Sequence, residues 1–553
     1  MRTRFRPALA IATGILLACS NDANDGGGAA GTGGSAGSAG NAGTGVPSDG
    51  SAGTGASTTG GGAGTGGSTT GGGAGTGGTA GNPSDDSAGA SGGTSSDASG
   101  GAGGSAGSAG RSGSAGSAGG LPDVGGDGGA CDSISTFESG LQPTRELFVD
   151  AAAIGTGDGS PGNPFASIAQ AVAQATPGTA VRIRPGTYAA DAFLRDLTGT
   201  STAPIWVGGV PASARPVIAG GGEAFHFVRA RYVIVHDLEI RGASSNGINA
   251  DDDGQYANAD AARYLVFRNL FIHDIGAGGN QDCLKLSGLN DYWVLDSEFQ
   301  RCGGGGSGSG IDHVGCHRGV IARNVFSDLQ GNGVQCKGGS DDIEIRRNRF
   351  SNAGERAVNL GGSTGFEFFR PPLSTTVPNF EARNIRVVAN AFTGSAVPLA
   401  FVGCVDCLAL NNTLVNPTNW ILRILQETVT GSGYTFLPAQ NGRFFNNLVY
   451  FARSDLSTYV NVGPNTQAPS FQFANNLWYA HDTPTSSRPT DLPSAETNGV
   501  VGSDPLLVGP TSGDYGIRSS SPAAGAGQRT SELRSDMGGR CYGDPPSIGA
   551  HER

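Results

Sequence analysis

Lysine is almost missing from this chain. Only Lys285 and Lys337 occur in 553 residues, so arginine supplies thirty-three of the 35 basic side chains. With 47 acidic residues the formal net charge is −12, which excludes general attraction to nucleic acid or any other polyanion. An anionic partner has to be met by a local cationic patch or by a bound metal. A second CxxC and a suitable histidine cluster are also lacking, so Cys404-Val-Asp-Cys407 reads as a local structural pair rather than a zinc or redox motif. Where a fixed positive charge suffices, this sequence uses arginine. A retained lysine marks a need for a compact ammonium, or for one that can lose its proton. The bland alternative is that an arginine-rich composition left two lysines by chance.

The N-terminal residues read as a targeting segment. Arg2, Arg4 and Arg6 give a basic start, and Ala8 to Leu17 form an apolar stretch too short to span a bilayer. Leu16-Leu17-Ala18-Cys19 resembles a bacterial lipobox, which implies a signal peptide over 1–18 and lipidation of Cys19. Ser20 after the cysteine implies an outer-membrane address, with the protein lipid-anchored and facing either the cell surface or the periplasm. Residues 19–130 are almost wholly Gly, Ser, Ala and Thr. Such a segment cannot bury enough apolar surface to offset the entropy of ordering, so it is expected to be a disordered tether with a reach of roughly 55 Å. Of nine cysteines, eight remain once Cys19 is set aside; Cys131 and Cys541 bracket the folded part and are placed to staple its ends.

The rest repeats. Short β-rich runs end in Asn-x-apolar at Asn269, Asn324, Asn348, Asn390, Asn412, Asn447 and Asn476, with Ser297 filling the gap after the first. The copies lie 22 to 42 residues apart, a period that means stacked units rather than separate domains. Within runs apolar and polar residues alternate, as Ile343 and Ile345 do with Glu344 and Arg346. Ser167-x-x-Gln170 is a capping box that opens an Ala-rich helix, suited to plugging an open coil end.

The strands after each Asn-x-apolar run fall into register: Ile248-Asn-Ala-Asp251, Leu284-Lys-Leu-Ser287, Ile311-Asp-His-Val314, Val334-Gln-Cys-Lys337 and Val358-Asn-Leu-Gly361. Alternation turns the first and third members inward, so His313 is expected in the core. One outward column then reads Asn249, Lys285, Asp312, Gln335, Asn359, and the next carries Asp251, Ser287, Val314 and Lys337. The lysine Cα atoms are expected roughly 12 Å apart, flanking Asp312. Asp251, Asp252 and Asp253 enter the face from an earlier coil, Asp282 precedes Lys285, and Arg356 enters from a later coil. Phe366, Phe368, Phe369 and Arg370 follow in a long excursion, either as an aromatic rim for sugars or as a cap over the coil.

The period, the Asn at each bend, and the segments Leu147-Phe-Val-Asp150 and Pro177 to Tyr188 resemble extracellular right-handed parallel β-helix proteins over 146–553. The implied fold is all-β, a single-stranded right-handed solenoid with an N-terminal capping helix. Its site is similar to that of the calcium-dependent pectate lyases of family nine. That resemblance implies Lys337 as base, with Lys285 as runner-up or as partner of Arg356 on a substrate carboxylate. It also implies Ca2+ held by Asp282 and Asp312; the adjacent carboxylates Asp251 and Asp252 are further candidate ligands by their own chemistry, and Asn249, Gln335, Asn359 and Arg370 are candidate substrate contacts. The family's paired Asp residues are missing; this chain has only Ser309-Gly-Ile-Asp312. Asn280-Gln-Asp-Cys-Leu284 resembles part of a polygalacturonase segment, which keeps hydrolysis open, and a tethered glycan-binding adhesin is the non-enzymatic alternative. The expected partner is an acidic polysaccharide, with no nucleic acid, membrane contact only through the lipid, and a monomeric state.

Overall fold

A computed structural model describes residue 131 and residues 133–553, apart from 277–278 and 305–306. The leader, Cys19 and the rest of the tether lie outside the described residues. Short strands alternate inward apolar and outward polar residues, and each run stops at a corner where one residue turns left-handed. Asp237, Asn269, Asp296, Arg323, Asn411 and Asn446 hold φ between +52° and +58° at one such corner of successive coils. Asn and Asp tolerate this conformation best, because their short polar side chains bond locally.

Successive coils stack in parallel. Ten strands, from Ala192–Arg195 to Val460–Val462, build one sheet. Two further parallel faces complete the coil. Ala262–Ile275 bends across a corner, pairing Val266 with Trp293 on one face and Phe271 with Glu298 on the next. The chain is therefore a parallel β-helix, as the repeat implied. Inside, equivalent side chains stack: Phe299, Phe326, Phe350 and Phe392 lie ring on ring at centroid spacings of 5.0, 4.7 and 4.7 Å.

The repeated asparagines form a buried ladder. Asn324, Asn348, Asn390, Asn412 and Asn447 each donate from Nδ2 to Oδ1 of the next asparagine at 3.0 to 3.2 Å, ending on Asn476. Each Oδ1 also accepts a backbone N–H of the preceding coil, as Asn390 Oδ1 does from Asn348 N at 2.8 Å. The ladder ends on Glu496, which accepts from Asn476 N at 3.0 Å. Asn269 does not belong to it. Phe271 pairs with Glu298, so Leu270 takes the ladder position and Asn269 the corner before it. Ser297 is the first polar rung, its Oγ accepting from Leu270 N at 3.0 Å.

The ends match the sequence reading in part. Ser167 caps the helix Ile168–Ala173 by accepting from Gln170 N, and Ile168, Ala171 and Val172 are buried. Cys131–Cys541, Cys283–Cys302 and Cys404–Cys407 are bonded, while Cys316 and Cys336 are free and buried. The C-terminal segment does more than close an end. Leu533 and Tyr542 cover Val388, Leu408 and Leu410 on the outside of the coil. Arg346, outward by alternation, is thereby buried and donates to Ser535 Oγ at 2.8 Å.

Replacing Asn390 by Ala strands acceptors and donors on three coils, so a loss of about 3 kcal/mol is expected in equilibrium denaturation. Asn269→Ala, at the half-buried corner, should cost well under half of that. Equal losses would refute the ladder as the stronger tie.

Candidate functional site

The ten-strand sheet carries the polar columns, and the register is the one read from the sequence. Asn249 pairs with Lys285, Lys285 with Asp312, Asp312 with Gln335, and Gln335 with Asn359. Val314 pairs with Lys337, and Ser287 with Asp251. The inward members Leu284, Leu286, Ile311, Val334 and Cys336 are fully buried, which fixes the outward direction of their neighbours.

The lysines meet at Asp312. Lys285 Nζ donates to Asp312 Oδ2 and lies 3.6 Å from Asp282 Oδ2; Lys337 Nζ lies 3.9 Å from the same Asp312 oxygen. Asp282 Oδ1 accepts from Ser309 N at 2.7 Å. Burial pushes the Asp282 carboxyl up to about 7 against the pull of Lys285, and the Asp312 charge adds to the rise. Asn332 Nδ2 reaches Gln335 Oε1 and Ser309 Oγ, both at 3.3 Å.

This cluster is covered. Lys285 and Lys337 are only 4% and 3% exposed. The chain leaves the Arg356–Gly361 strand and passes over Gln335 and Lys337 at Gly362. A Cβ on Gly362 would stand 2.6 Å from Gln335 Nε2 and 3.5 Å from Lys337 Cδ, and Gly362 has a φ of +150°. The positive φ is what calls for glycine there. Glu381 anchors the crossing: its carboxylate accepts from Gly338 N at 2.8 Å, from Thr364 N and Oγ1 at 2.9 Å, and from Thr428 Oγ1. Burial raises the Glu381 carboxyl, and the Lys337 charge opposes that rise along with those donors.

The remaining candidates are drawn into other contacts. Arg370 forms a two-pronged pair with Asp252 at 2.8 and 2.9 Å, and its guanidinium lies over the Tyr256 ring at 4.5 Å. Asp251 accepts from His226 Nε2 at 2.6 Å, and Asp253 pairs with Arg195 at 2.6 Å. Arg356 pairs with Glu427 at 2.7 Å and reaches Asn359 Oδ1 at 3.5 Å. Phe369 is buried against Phe436, and Phe366 stacks on the same ring. The excursion is therefore a cap rather than a free aromatic rim.

Calcium does not fit these donors. Ca2+ needs six to eight oxygens at roughly 2.3–2.6 Å. Among the described residues no group of three or more His, Cys, Asp or Glu is arranged to hold a metal. Asp251 and Asp252 are held by His226 and Arg370, and the Lys285 ammonium lies against Asp312 and 3.6 Å from Asp282 Oδ2.

Sequence reasoning missed two parts of the site. His226, whose position pairs with Asn249, extends the column by one coil and is flanked by Glu223 at 3.2 Å and Asp251. Burial disfavours its charge, but the two carboxylates outweigh that and raise it. The run Phe225-His-Phe-Val228 alternates like the others and would have been found by extending the alignment backward. Glu381 comes from the long excursion, where no period signals it.

A family model described as "Right handed beta helix region" matches residues 223–373. No curated protein matches the chain. Among solved structures, the chain is similar to a pectate lyase at 17% identity and a TM-score of 0.47, covering 75% of this chain and 98% of that one. A rhamnogalacturonan lyase follows at 15% and 0.41, covering 60% and 87%. An alginate lyase from Paenibacillus gives 14% and 0.38, covering 58% and 98%. The protein is a right-handed parallel β-helix, and similarity at these levels carries no residue role into the site.

His313 points inward as expected, its Nδ1–H donating to Gln335 O at 2.8 Å, and burial lowers it to about 4. The unfolded chain takes up this proton near pH 6.5, whereas the fold refuses it down to about 4. Its contribution is complete above pH 6.5 and is lost as pH falls toward 4, by up to about 3 kcal/mol. Denaturation at pH 7 and pH 5 should show a smaller acid loss for His313→Asn than for the wild type. Equal losses would refute the assignment.

Proposed function

We propose that the protein is a carbohydrate-active β-helix that cleaves uronate-containing polysaccharide by β-elimination on the ten-strand sheet. The observation that carries this reading is the convergence of the chain's two lysines on one aspartate, Asp312, within a polar column that crosses several coils. Elimination requires a neutral amine to remove the proton α to the sugar carboxylate. It also requires fixed positive charge where the enolate develops.

The two lysines divide these tasks by geometry. Lys285 touches Asp312 and lies near Asp282, and contact with carboxylates favours the ammonium form. It serves as the fixed cation facing the substrate carboxylate. Lys337, at 3.9 Å from Asp312, is the base. Its amine takes the proton from the carbon bearing the carboxylate, and that C–H electron pair becomes the new C=C bond. The glycosidic C–O bond breaks with its electron pair on the departing oxygen, which takes a proton from water. Gln335, Asn359 and Asn249 line the column on either side and supply hydrogen bonds to sugar hydroxyls. Arg356 stands beside Asn359 for a neighbouring carboxylate, at the cost of its pair with Glu427.

Because Lys337 is covered by the Gly361–Arg370 crossing, productive binding displaces that segment, which the Arg370–Asp252 pair latches. The same burial favours a second reading, in which the lysine network ties coils together and the outer face only binds glycan. The leader and tether then serve to present that face from an outer membrane.

Incubating the protein with a panel of acidic polysaccharides and following the absorbance of the unsaturated product separates these readings. Lys337→Arg keeps a charge but removes the base, so the rate should fall by about 100-fold or more. Activity untouched by Lys→Arg at both positions would sink the assignment. Reducing ends without absorbance would indicate hydrolysis, and binding without either would leave the glycan-binding reading.

A further inference from the structure

We propose that the Lys285 ammonium takes the place of a divalent cation in this site, so that the groove works without a bound metal. This deepens the lyase reading and rests on it for its catalytic meaning; the binding behaviour it implies can be measured without any activity.

Asp282 and Asp312 have side chains only 1% exposed, and two carboxylates removed from water need a cation between them. Lys285 supplies it, in contact with Asp312 Oδ2 and 3.6 Å from Asp282 Oδ2. Lys337, 3.9 Å from Asp312, adds a second positive charge only in its protonated form. Adding a dication would leave a surplus of one positive charge with Lys337 neutral and of two with it protonated, in a buried region where repulsion is screened poorly. The other acids nearby are committed. Glu381 accepts from Gly338, Thr364 and Thr428, Asp252 is held by Arg370, and Asp251 by His226.

Asp282 Oδ2 and Asp312 Oδ1 accept no hydrogen bond within the protein. They flank the ammonium, and one ordered water apiece would satisfy them. They are also the lone pairs a calcium ion would take if the ammonium were removed. Truncating Lys285 should therefore create calcium binding where the wild type has none.

The test uses the full chain, calcium chloride and a chelator, with calorimetric titration and thermal unfolding as readouts. Wild-type Tm should be the same in millimolar calcium and in chelator. Lys285→Ala should unfold several degrees higher with calcium than with chelator, and adding Asp312→Asn should abolish that rise. Calcium binding by the wild type that Asp312→Asn removes would overturn the proposal, and so would a folded Lys285→Ala variant indifferent to calcium. If Lys285→Ala fails to fold, the wild-type arm alone decides. Elimination, where found, should proceed equally in chelator, and a calcium requirement lost with Asp312→Asn would overturn the proposal. Absence of elimination on every uronate polymer would refute the lyase reading and leave the titrations to judge the cation's place.

Discussion

Each coil of this protein must set its side chains on those of the coil before it, one strand spacing away, and the buried asparagine ladder fixes how they meet. An Asn side chain that bonds both the next Asn and the preceding backbone can do so in only one register. A slip of one residue would turn every inward residue outward. The stacked phenylalanines add contact area along the same axis. The corners with positive φ, one residue before each rung, let the chain change face without losing its parallel partner.

The polar columns follow from that constraint. Once the register is set, residues far apart in sequence become neighbours along one line, as Lys285, Asp312 and Gln335 do. Coulomb interactions between them are strong because these outward side chains are almost wholly buried, with the crossing at Gly362 covering the Gln335 and Lys337 end. The roof converts a surface row of charges into a buried network, and burial is what lifts the Asp282 carboxyl and commits Glu381 to its donors. In a solvated row, Lys285 and Asp312 would form an ordinary cross-strand pair worth little. Under the roof, removing one partner would leave an uncompensated charge.

The excursion that makes the roof also explains where the other candidates went. Arg370 and Asp252 stand 118 residues apart in the chain and meet as a two-pronged pair with good geometry for guanidinium and carboxylate. Phe366 and Phe369 pack on Phe436. Such contacts depend on where an aperiodic loop lands, and local pattern holds no record of it.

By itself the sequence determined the coil, its inward faces and the two adjacent columns that hold the lysines, because a period-two strand and a repeating bend are local properties that stacking only multiplies. Asn269 shows the limit: it carried the repeat's signature, yet a one-residue offset put it at the corner. The tertiary structure alone decided that the column is covered, that Asp251 and Asp252 belong to His226 and Arg370, and that an ammonium sits between Asp282 and Asp312. Those outcomes depend on long-range packing of loops without period, and on charge balance in a volume that exists only after the chain has folded.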